Sequence, residues 1–484
     1  MRHFIAVTTT IATLIAWPVV AQDSGAKHEE LKRAIPRLMQ LAEVPGLSIA
    51  TFEEGRVAWI GSFGIKDTKT GEKVDAHTVF PAASLSKVVF AYAVLKLSDD
   101  GQIDLDAPLS KYVPEYVEND NRVNLITARH VLTHRTGFPN WRPSGKPLVI
   151  HFNPGERFSY SGEGFVYLQR AVEKIVGQPL DTFMKRMVFT PLEMTDSSYL
   201  WDEKYEAMAV AGHTEAGVSA KIRKTVEGAS PINGAGGPSA AATLLTTASD
   251  YARFAIAMIN GTGLRSETAR QMLTTQTAVD AGCSNCVRRP LSKTSESISW
   301  GLGVGLARTD RERLFWHWGD NGDFKAFVTG TGEAKRGVVI LTNSANGMMI
   351  IPDIVREAMG EMHPAFDWIH YERYDSPRMR LYRAILDQGI DEALKQYEAG
   401  PPLNEEDMNR LGLRLLRTKK LKEAMRTLEL NVAAFPKSAN AWDSLGAAYM
   451  IGGRELAIAS YRKSLELDPN NPEGAENLKK LEAK

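Results

Sequence analysis

A serine and a lysine three residues apart stand at the start of a helical pattern. They are Ser84 and Lys87 in Ala83-Ser84-Leu85-Ser86-Lys87-Val88-Val89-Phe90, where an extended stretch (residues 78–81) gives way to a helix reaching about Asp99. Residues three apart on a helix share a face, with Cβ atoms roughly 5–6 Å apart, so the Lys87 amine can reach the Ser84 oxygen. Free N–H groups of the first turn lie beside the same oxygen, placed to stabilise an oxyanion. A hydroxyl there is equally an ordinary helix cap. The spacing alone settles nothing, because it occurs at Ser24–Lys27, Ser84–Lys87 and Ser460–Lys463. Only Ser84 has suitable companions downstream.

The first companion is Tyr160-Ser161-Gly162, which follows the turn Asn153-Pro154-Gly155 and opens a helical pattern over 163–176 that Gly177 stops. Tyr160 therefore sits at the mouth of a helix, where it is either a core tyrosine or a phenol aimed at the serine. The second is His317-Trp318-Gly319, at the end of a run that reads as a strand; Gly319 would let a ligand backbone lie close. Residues 300–305, 324–329 and 338–342 read as further strands of an antiparallel group. Residues 22–43 read as a helix, followed by a hairpin over 47–52 and 57–60 turned at Glu54-Gly55. In Leu132-Thr133-His134-Arg135-Thr136-Gly137 a short capped helix runs into a loop, and His134 is expected to fix that loop through hydrogen bonds rather than act as a base. Gly234 to Gly237 approach a helix capped by Thr247 or Ser249, but no P-loop lysine follows.

At 484 residues two or three domains are expected. Lys+Arg and Asp+Glu are 58 each, which leaves no global field to attract nucleic acid or anionic lipid. Arg2 and His3 precede a short apolar stretch, and Val19-Val20-Ala21 offers small residues before a cut at Gln22, so residues 1–21 read as a signal peptide. The expected mature protein is exported, periplasmic or secreted, with no membrane span. Cys283 and Cys286, the two cysteines, fit a short-loop disulfide in that setting; a redox-active pair or half a zinc site is the alternative. The ten histidines show no His-Glu-x-x-His spacing, so neither metal nor cofactor is expected.

Near the C-terminus the chain repeats itself. Leu411-Gly412 recurs 34 residues on as Leu445-Gly446, Ala424 recurs as Ala457, and Pro436 as Pro469. Trp442-x2-Leu445-Gly446-x2-Tyr449 with Ala457-x3-Tyr461 resembles the tetratricopeptide pattern. Ala393-x3-Tyr397 reads as a remnant of an earlier repeat, and Gly400-Pro401-Pro402 punctuates the chain. The expected division is a catalytic domain over 22–360, a helical linker over 361–402, and tetratricopeptide-like repeats over 403–484. Such helix pairs bury their apolar faces only against neighbours, so the unit is expected to lean on 352–400. It either caps the fold or docks a protein or peptide partner.

Taken together, Ser84-x-x-Lys87, Tyr160-Ser161-Gly162 and His317-Trp318-Gly319 resemble, in order and rough spacing, the motifs of the penicillin-binding-protein/β-lactamase superfamily. The resemblance is to its class C-like branch, which includes β-lactamases, D-Ala-D-Ala carboxypeptidases, D-aminopeptidases and the family VIII esterases. It extends over about 28–360. It implies an α+β fold with an antiparallel sheet flanked by helices and a mainly helical subdomain, followed here by the all-α repeats. It further implies that Ser84 attacks a carbonyl to form an acyl-enzyme, and that Lys87 and Tyr160 share the proton relay. His317 would complete the site, with the backbone N–H groups of Ser84 and Asp320, the residue after Gly319, as the oxyanion hole, and with Ser161, Gly162 and Gly319 in contact with substrate. For Lys87 to act as base near neutrality its pKa must fall roughly three units from about 10.4, a differential of about 4 kcal/mol; burial can do this, as can a tyrosine held as its anion.

Two positions depart from the family. The second motif commonly ends in Asn and here ends in Gly162; the third often begins with Lys and here begins with His317, mostly neutral at pH 7. Both weaken the grip on an anionic peptide-like substrate and favour esters, lactones or small D-amino-acid amides over penicillins. There is no Gly-x-Ser-x-Gly, which counts against an α/β-hydrolase. The competing expectation from another class is a non-catalytic binding or scaffold protein acting through its repeats.

Overall fold

The computed structural model describes residues 24–232, 235–288, 292–397 and 403–483. The segment expected as a signal peptide, Gly234 and the Gly400-Pro401-Pro402 break lie outside them. Helix α1 (Ser24–Ala42) leads into a hairpin of β1 (Gly46–Glu53) and β2 (Arg56–Gly64), with Glu54 and Gly55 both at positive φ, as a tight turn requires. Six later strands complete the sheet: β3 (Thr277–Asp280), β4 (Thr294–Trp300), β5 (Gly305–Arg308), β6 (Arg313–Asp320), β7 (Lys325–Thr331) and β8 (Arg336–Thr342). The order is β2-β1-β8-β7-β6-β5-β4-β3, antiparallel throughout, so the first and last parts of the sheet-forming region meet where Ile49 pairs with Ile340.

Both faces of the sheet are covered, which is why its central strands are apolar along their whole length rather than alternating. Ala50, Phe52, Ala326, Val328, Val339 and Leu341 face a helical subdomain inserted between β2 and β3. That subdomain contains α2 (Ser86–Asp99), α3 (Ala128–Leu132), α4 (Gly162–Val176) and α5 (Ala248–Asn260). Leu47, Ile49, Phe327, Val338 and Ile340 face the other way, onto α1 and α6 (Ile351–Met359). The continuous strand expected over 300–305 is not there. Residues 301–304 are a turn between β4 and β5, closed by the Gly301 amide on the Val304 carbonyl at 2.9 Å. Gly303, at φ +81, donates to Leu132, and a Cβ on it would stand 2.2 Å from the Ala91 Cβ. The glycines therefore carry the chain hard against α2 and α3 instead of extending a strand.

Strand β6 outruns its neighbour. Its pairing with β5 ends at Trp316↔Gly305, while its pairing with β7 continues to Asp320↔Lys325. Residues 317–320 thus form a strand edge paired on one side, among the described residues, and that edge lies over the Ser84 turn.

Beyond the sheet come α7 (Ala365–Ile369), α8 (Pro377–Gln388) and α9 (Ile390–Tyr397), then α10 (Glu405–Arg417), α11 (Leu421–Ala434), α12 (Ala439–Tyr449), α13 (Arg454–Leu467) and α14 (Pro472–Glu482). The last five pack pairwise. The recurring glycines explain the repeat: a Cβ at Gly412 would meet Leu428 at 2.5 Å, and one at Gly446 would meet Tyr461 at 3.1 Å. Of the segment 361–402, expected as a helical linker, the described residues 361–397 are mostly helical and packed, with Trp368, Met379, Leu381 and Tyr382 buried in the same core as α1 and the sheet. Leu411 and Leu415 of α10 join that core, Arg414 stacks on Tyr382 and donates to Asn346 at 3.1 Å, and Arg417 pairs with Glu215 at 3.0 Å. Among the described residues no helix is long and apolar enough to cross a membrane.

Candidate active site

Ser84 lies not in α2 but in the short 3-10 turn Ala83–Leu85 ahead of it; the α-helix begins at Ser86. The turn is entered through Ala83 at φ 49, a left-handed conformation that costs a non-glycine residue about 1–3 kcal/mol and persists only where its surroundings impose it. They do so here. The Ser86 hydroxyl donates to the Ala83 carbonyl at 2.5 Å and accepts from the Leu244 amide at 3.0 Å, while the Ala82 amide bonds to Leu244 at 2.8 Å. This geometry narrows the expected set of helix-derived oxyanion donors, because the amides of Leu85 and Ser86 are engaged by carbonyls of the same turn. Ser84 itself is half-buried, the one opening in a stretch that is otherwise closed to solvent.

One turn on, Lys87 is completely buried. Its Nζ lies 2.9 Å from Ser84 Oγ and 2.7 Å from the Ala241 carbonyl, a partner that the sequence did not disclose. Burial pushes its pKa down from 10.5 to about 7. The Tyr160 ring stands 5.0 Å from the same nitrogen, and its buried hydroxyl, near Ser84, completes no hydrogen bond among the described residues. Burial raises the phenol above its ordinary value, which the Ser84 hydroxyl partly opposes. The two shifts diverge in the useful direction: the amine is the group that can be neutral near pH 7, and the phenol keeps its proton.

Three consecutive amides fix Tyr160. Ser159 donates to the His134 carbonyl at 2.8 Å, Tyr160 to the Ser284 carbonyl at 2.8 Å, and Ser161 to His134 Nδ1 at 3.0 Å. His134 is buried, at φ 53, and its ring packs at a tilt 4.3 Å from the Tyr160 ring; burial holds it well below its usual pKa, so it works as a neutral clamp. Ser161, expected to touch substrate, is instead the cap of α4: its hydroxyl accepts from Gly164 at 3.1 Å and donates to Pro139 at 2.8 Å. Gly162 has a local cause as well. A Cβ there would meet the Trp141 indole at 2.7 Å, so Trp141 fills the space a larger side chain would need. Neither Trp141 nor the Glu163–Arg142 pair beside it, with a fully buried carboxylate, carries a signal in the sequence.

His317 comes from the free edge of β6 and lies 6.0 Å, ring to ring, from Tyr160. Its Nδ1 is 2.7 Å from the Trp318 carbonyl, which can only accept, so Nδ1 carries the proton and the buried Nε2 presents a lone pair. Burial, and then the nearby Lys87 charge, lower its pKa to about 3. It is a neutral acceptor, not a substitute cation. Gly319 serves a purpose other than the expected one: a Cβ would stand 2.5 Å from the Ala82 carbonyl and 3.2 Å from the Ala83 Cβ, so the glycine admits the protein's own nucleophile turn rather than a ligand backbone. The Asp320 carboxylate is held by Lys325 and by the Tyr371 hydroxyl, each at 2.5 Å. A cavity of about 600 Å³ adjoins this cluster, walled by Pro81, Trp141, Ile222, Leu245 and Phe324. Asn321, at its edge, donates to Ala242 at 3.0 Å, one residue from the carbonyl that holds Lys87.

The sequence model of the β-lactamase family matches residues 31–353. The chain is 26% identical over 361 residues to penicillin-binding protein 4 of Amycolatopsis lactamdurans, covering 69% of this chain and 90% of that one. It is 25% identical over 235 residues to esterase EstB of Burkholderia gladioli, covering 42% and 59%. Among solved structures it resembles the D-alanine carboxypeptidase AmpC of Burkholderia cenocepacia, with a TM-score of 0.56 at 18% identity over 70% of this chain and 99% of that one. A class C β-lactamase gives a TM-score of 0.56 at 17% identity over 71% and 98%.

Proposed function

We propose that this chain, which belongs to the β-lactamase family of serine hydrolases, cleaves an ester or a D-amino-acid peptide or amide through an acyl-enzyme on Ser84. The observation that carries the reading is the fully buried Lys87 amine 2.9 Å from Ser84 Oγ, brought by burial to a pKa of about 7. In its neutral form Lys87 keeps its bond to Ala241 and turns its lone pair to the Ser84 hydroxyl. It accepts that proton as Oγ attacks the substrate carbonyl. The oxyanion falls to the backbone N–H groups of Ser84 and Asp320. Tyr160, still protonated, stands beside Ser84 to hand a proton to the leaving group and recover it from the water that cleaves the acyl-enzyme.

Substrate choice follows from the neutral His317 and the apolar cavity. The neutral His317 stands where the family often has a lysine, which disfavours penicillin-like carboxylates at that position, and the cavity, mainly apolar with Arg223 among its walls, accepts an uncharged acyl or alkyl group. Weak β-lactam hydrolysis is a side activity on this reading. Nitrophenyl esters, a D-Ala-D-Ala peptide and a chromogenic cephalosporin, assayed with wild type and Ser84→Ala, test it. Turnover of the ester or peptide abolished in the variant supports the proposal; no turnover by wild type, or turnover equal in both, ends it.

The 34-residue recurrence supports reading α10 to α14 as tetratricopeptide-type repeats that cap the hydrolase, since their first pair is packed into its core. The pattern over 1–21 and the Cys283–Cys286 disulfide support an exported protein.

A further inference from the structure

The loop between β3 and β4 does something the reaction above leaves unexplained. Its base is tied to the fold at Asp280, whose carboxylate accepts from the amides of Gly282 at 2.9 Å and Ser292 at 2.6 Å, and whose carbonyl accepts from Trp368 at 2.7 Å. Its tip is a four-residue ring closed by the Cys283–Cys286 disulfide, with Cys283 half-buried and Asn285 exposed. From inside that ring the Ser284 carbonyl reaches the Tyr160 amide at 2.8 Å, and the Asn285 side chain meets Ser159 at 3.4 Å. The amides on either side of Tyr160 are both held by His134, which is anchored in the helical subdomain. The tyrosine's own amide depends on the disulfide loop alone.

We propose that the Cys283–Cys286 loop is a positioning element for Tyr160: closed by its disulfide, it presents the Ser284 carbonyl that aims the phenol at Ser84, so that reducing the disulfide slows acylation. This rests on the reading of Tyr160 and Ser84 given above. A backbone carbonyl is effective only if its loop is held, and four residues without their cross-link regain most of the conformational freedom that the ring removes. The redox step is simple. A dithiol reductant gives two electrons and two protons to the two sulfurs, which become thiols, and is itself oxidised to a cyclic disulfide. A mild oxidant reverses it.

The test follows labelling of Ser84 by a fluorophosphonate probe in the full-length mature protein, with the site of attachment read by mass spectrometry. The native protein is compared with the dithiol-reduced, reoxidised and Cys283→Ser/Cys286→Ser forms. Losing the hold on one backbone amide predicts that the saturating labelling rate falls about threefold to tenfold on reduction, with the probe concentration at half-saturation unchanged. Reoxidation restores the rate, and the double variant is slow and indifferent to dithiol, while far-UV circular dichroism and the urea midpoint of the reduced protein stay near native. Equal labelling rates in oxidised and fully reduced protein, with two thiols counted, overturn this inference and leave the hydrolase reading standing. Loss of the native circular dichroism signal on reduction also overturns it, since the cross-link would then support the fold and not the tyrosine. Failure of the native protein to label at Ser84 removes both.

Discussion

Replacing Lys87 by methionine should abolish activity and stabilise the protein. The two side chains are similar in volume, so packing is little changed. The buried amine has its pKa lowered from 10.5 to about 7, which at about 1.4 kcal/mol per pKa unit means that keeping the group charged in this site costs on the order of 5 kcal/mol. Against that stand the bonds to Ser84 and Ala241, whose loss, with a buried carbonyl left unpartnered, costs about 2–4 kcal/mol. The net is a stabilisation of about 1–3 kcal/mol below pH 7. Its pH dependence is the sharper test. Between about pH 7 and 10.5 the unfolded wild type holds a proton on this lysine that the folded protein has released, so wild-type stability rises with pH through that window. The advantage of Lys87→Met should therefore be full below pH 7, shrink by about 1.4 kcal/mol per pH unit above it, and reverse between about pH 8 and 9. Urea midpoints of both proteins from pH 6 to 10 measure this, alongside acylation by the fluorophosphonate probe. In wild type acylation should rise with pH to a plateau with a midpoint near 7; in the variant it should fall about a hundredfold to ten-thousandfold. A variant less stable than wild type at pH 6, or a wild-type rate flat from pH 5.5 to 8.5, would refute the placement of a depressed amine beside Ser84.

Restoring the family's usual residue with Gly162→Asn should not improve amide turnover; with Trp141 only 2.7 Å from the new Cβ it should destabilise by about 1–3 kcal/mol, and Trp141→Ala in the same chain should recover most of that, as a double-mutant cycle in urea would show. Gly319→Ala drives a methyl into the Ala82 carbonyl and should lower the acylation rate at least tenfold by displacing the Ser84 turn, with circular dichroism near native. Tyr371→Phe removes a hydroxyl bonded to the Asp320 carboxylate and should reduce kcat about tenfold with KM little changed, read with a nitrophenyl ester. A chain ending at residue 360 would expose the surface that Trp368, Met379 and Tyr382 cover, and should be insoluble rather than an active smaller enzyme, as expression and sedimentation would reveal.

What could be read along the chain was local chemistry. The three-residue spacing of Ser84 and Lys87, the turn ahead of Tyr160, the αL stop at Gly177 and the capping Thr247 depend on neighbours in sequence, and each appears in the structure. So does the recurrence of Gly412 and Gly446, because each glycine answers a contact within its own helix pair. Misreadings arose where a residue's purpose lies far off. Gly303 resembles a strand glycine until Ala91 is beside it, Gly319 a substrate glycine until Ala82 is, and Ser161 a substrate contact until its hydroxyl is found capping α4.

The amino-acid sequence by itself determined which groups are available: a hydroxyl, an amine, a phenol and an imidazole, on elements whose starts and stops are locally encoded. Only the tertiary structure decided their ionisation. Desolvation depends on what every other segment covers, and it is burial that brings Lys87 to about 7 while holding the Tyr160 phenol protonated and His317 neutral. The supports of the site, Ala241 for the lysine and His134 with Ser284 for the tyrosine, act largely through backbone atoms, which every residue possesses and no side-chain pattern can announce.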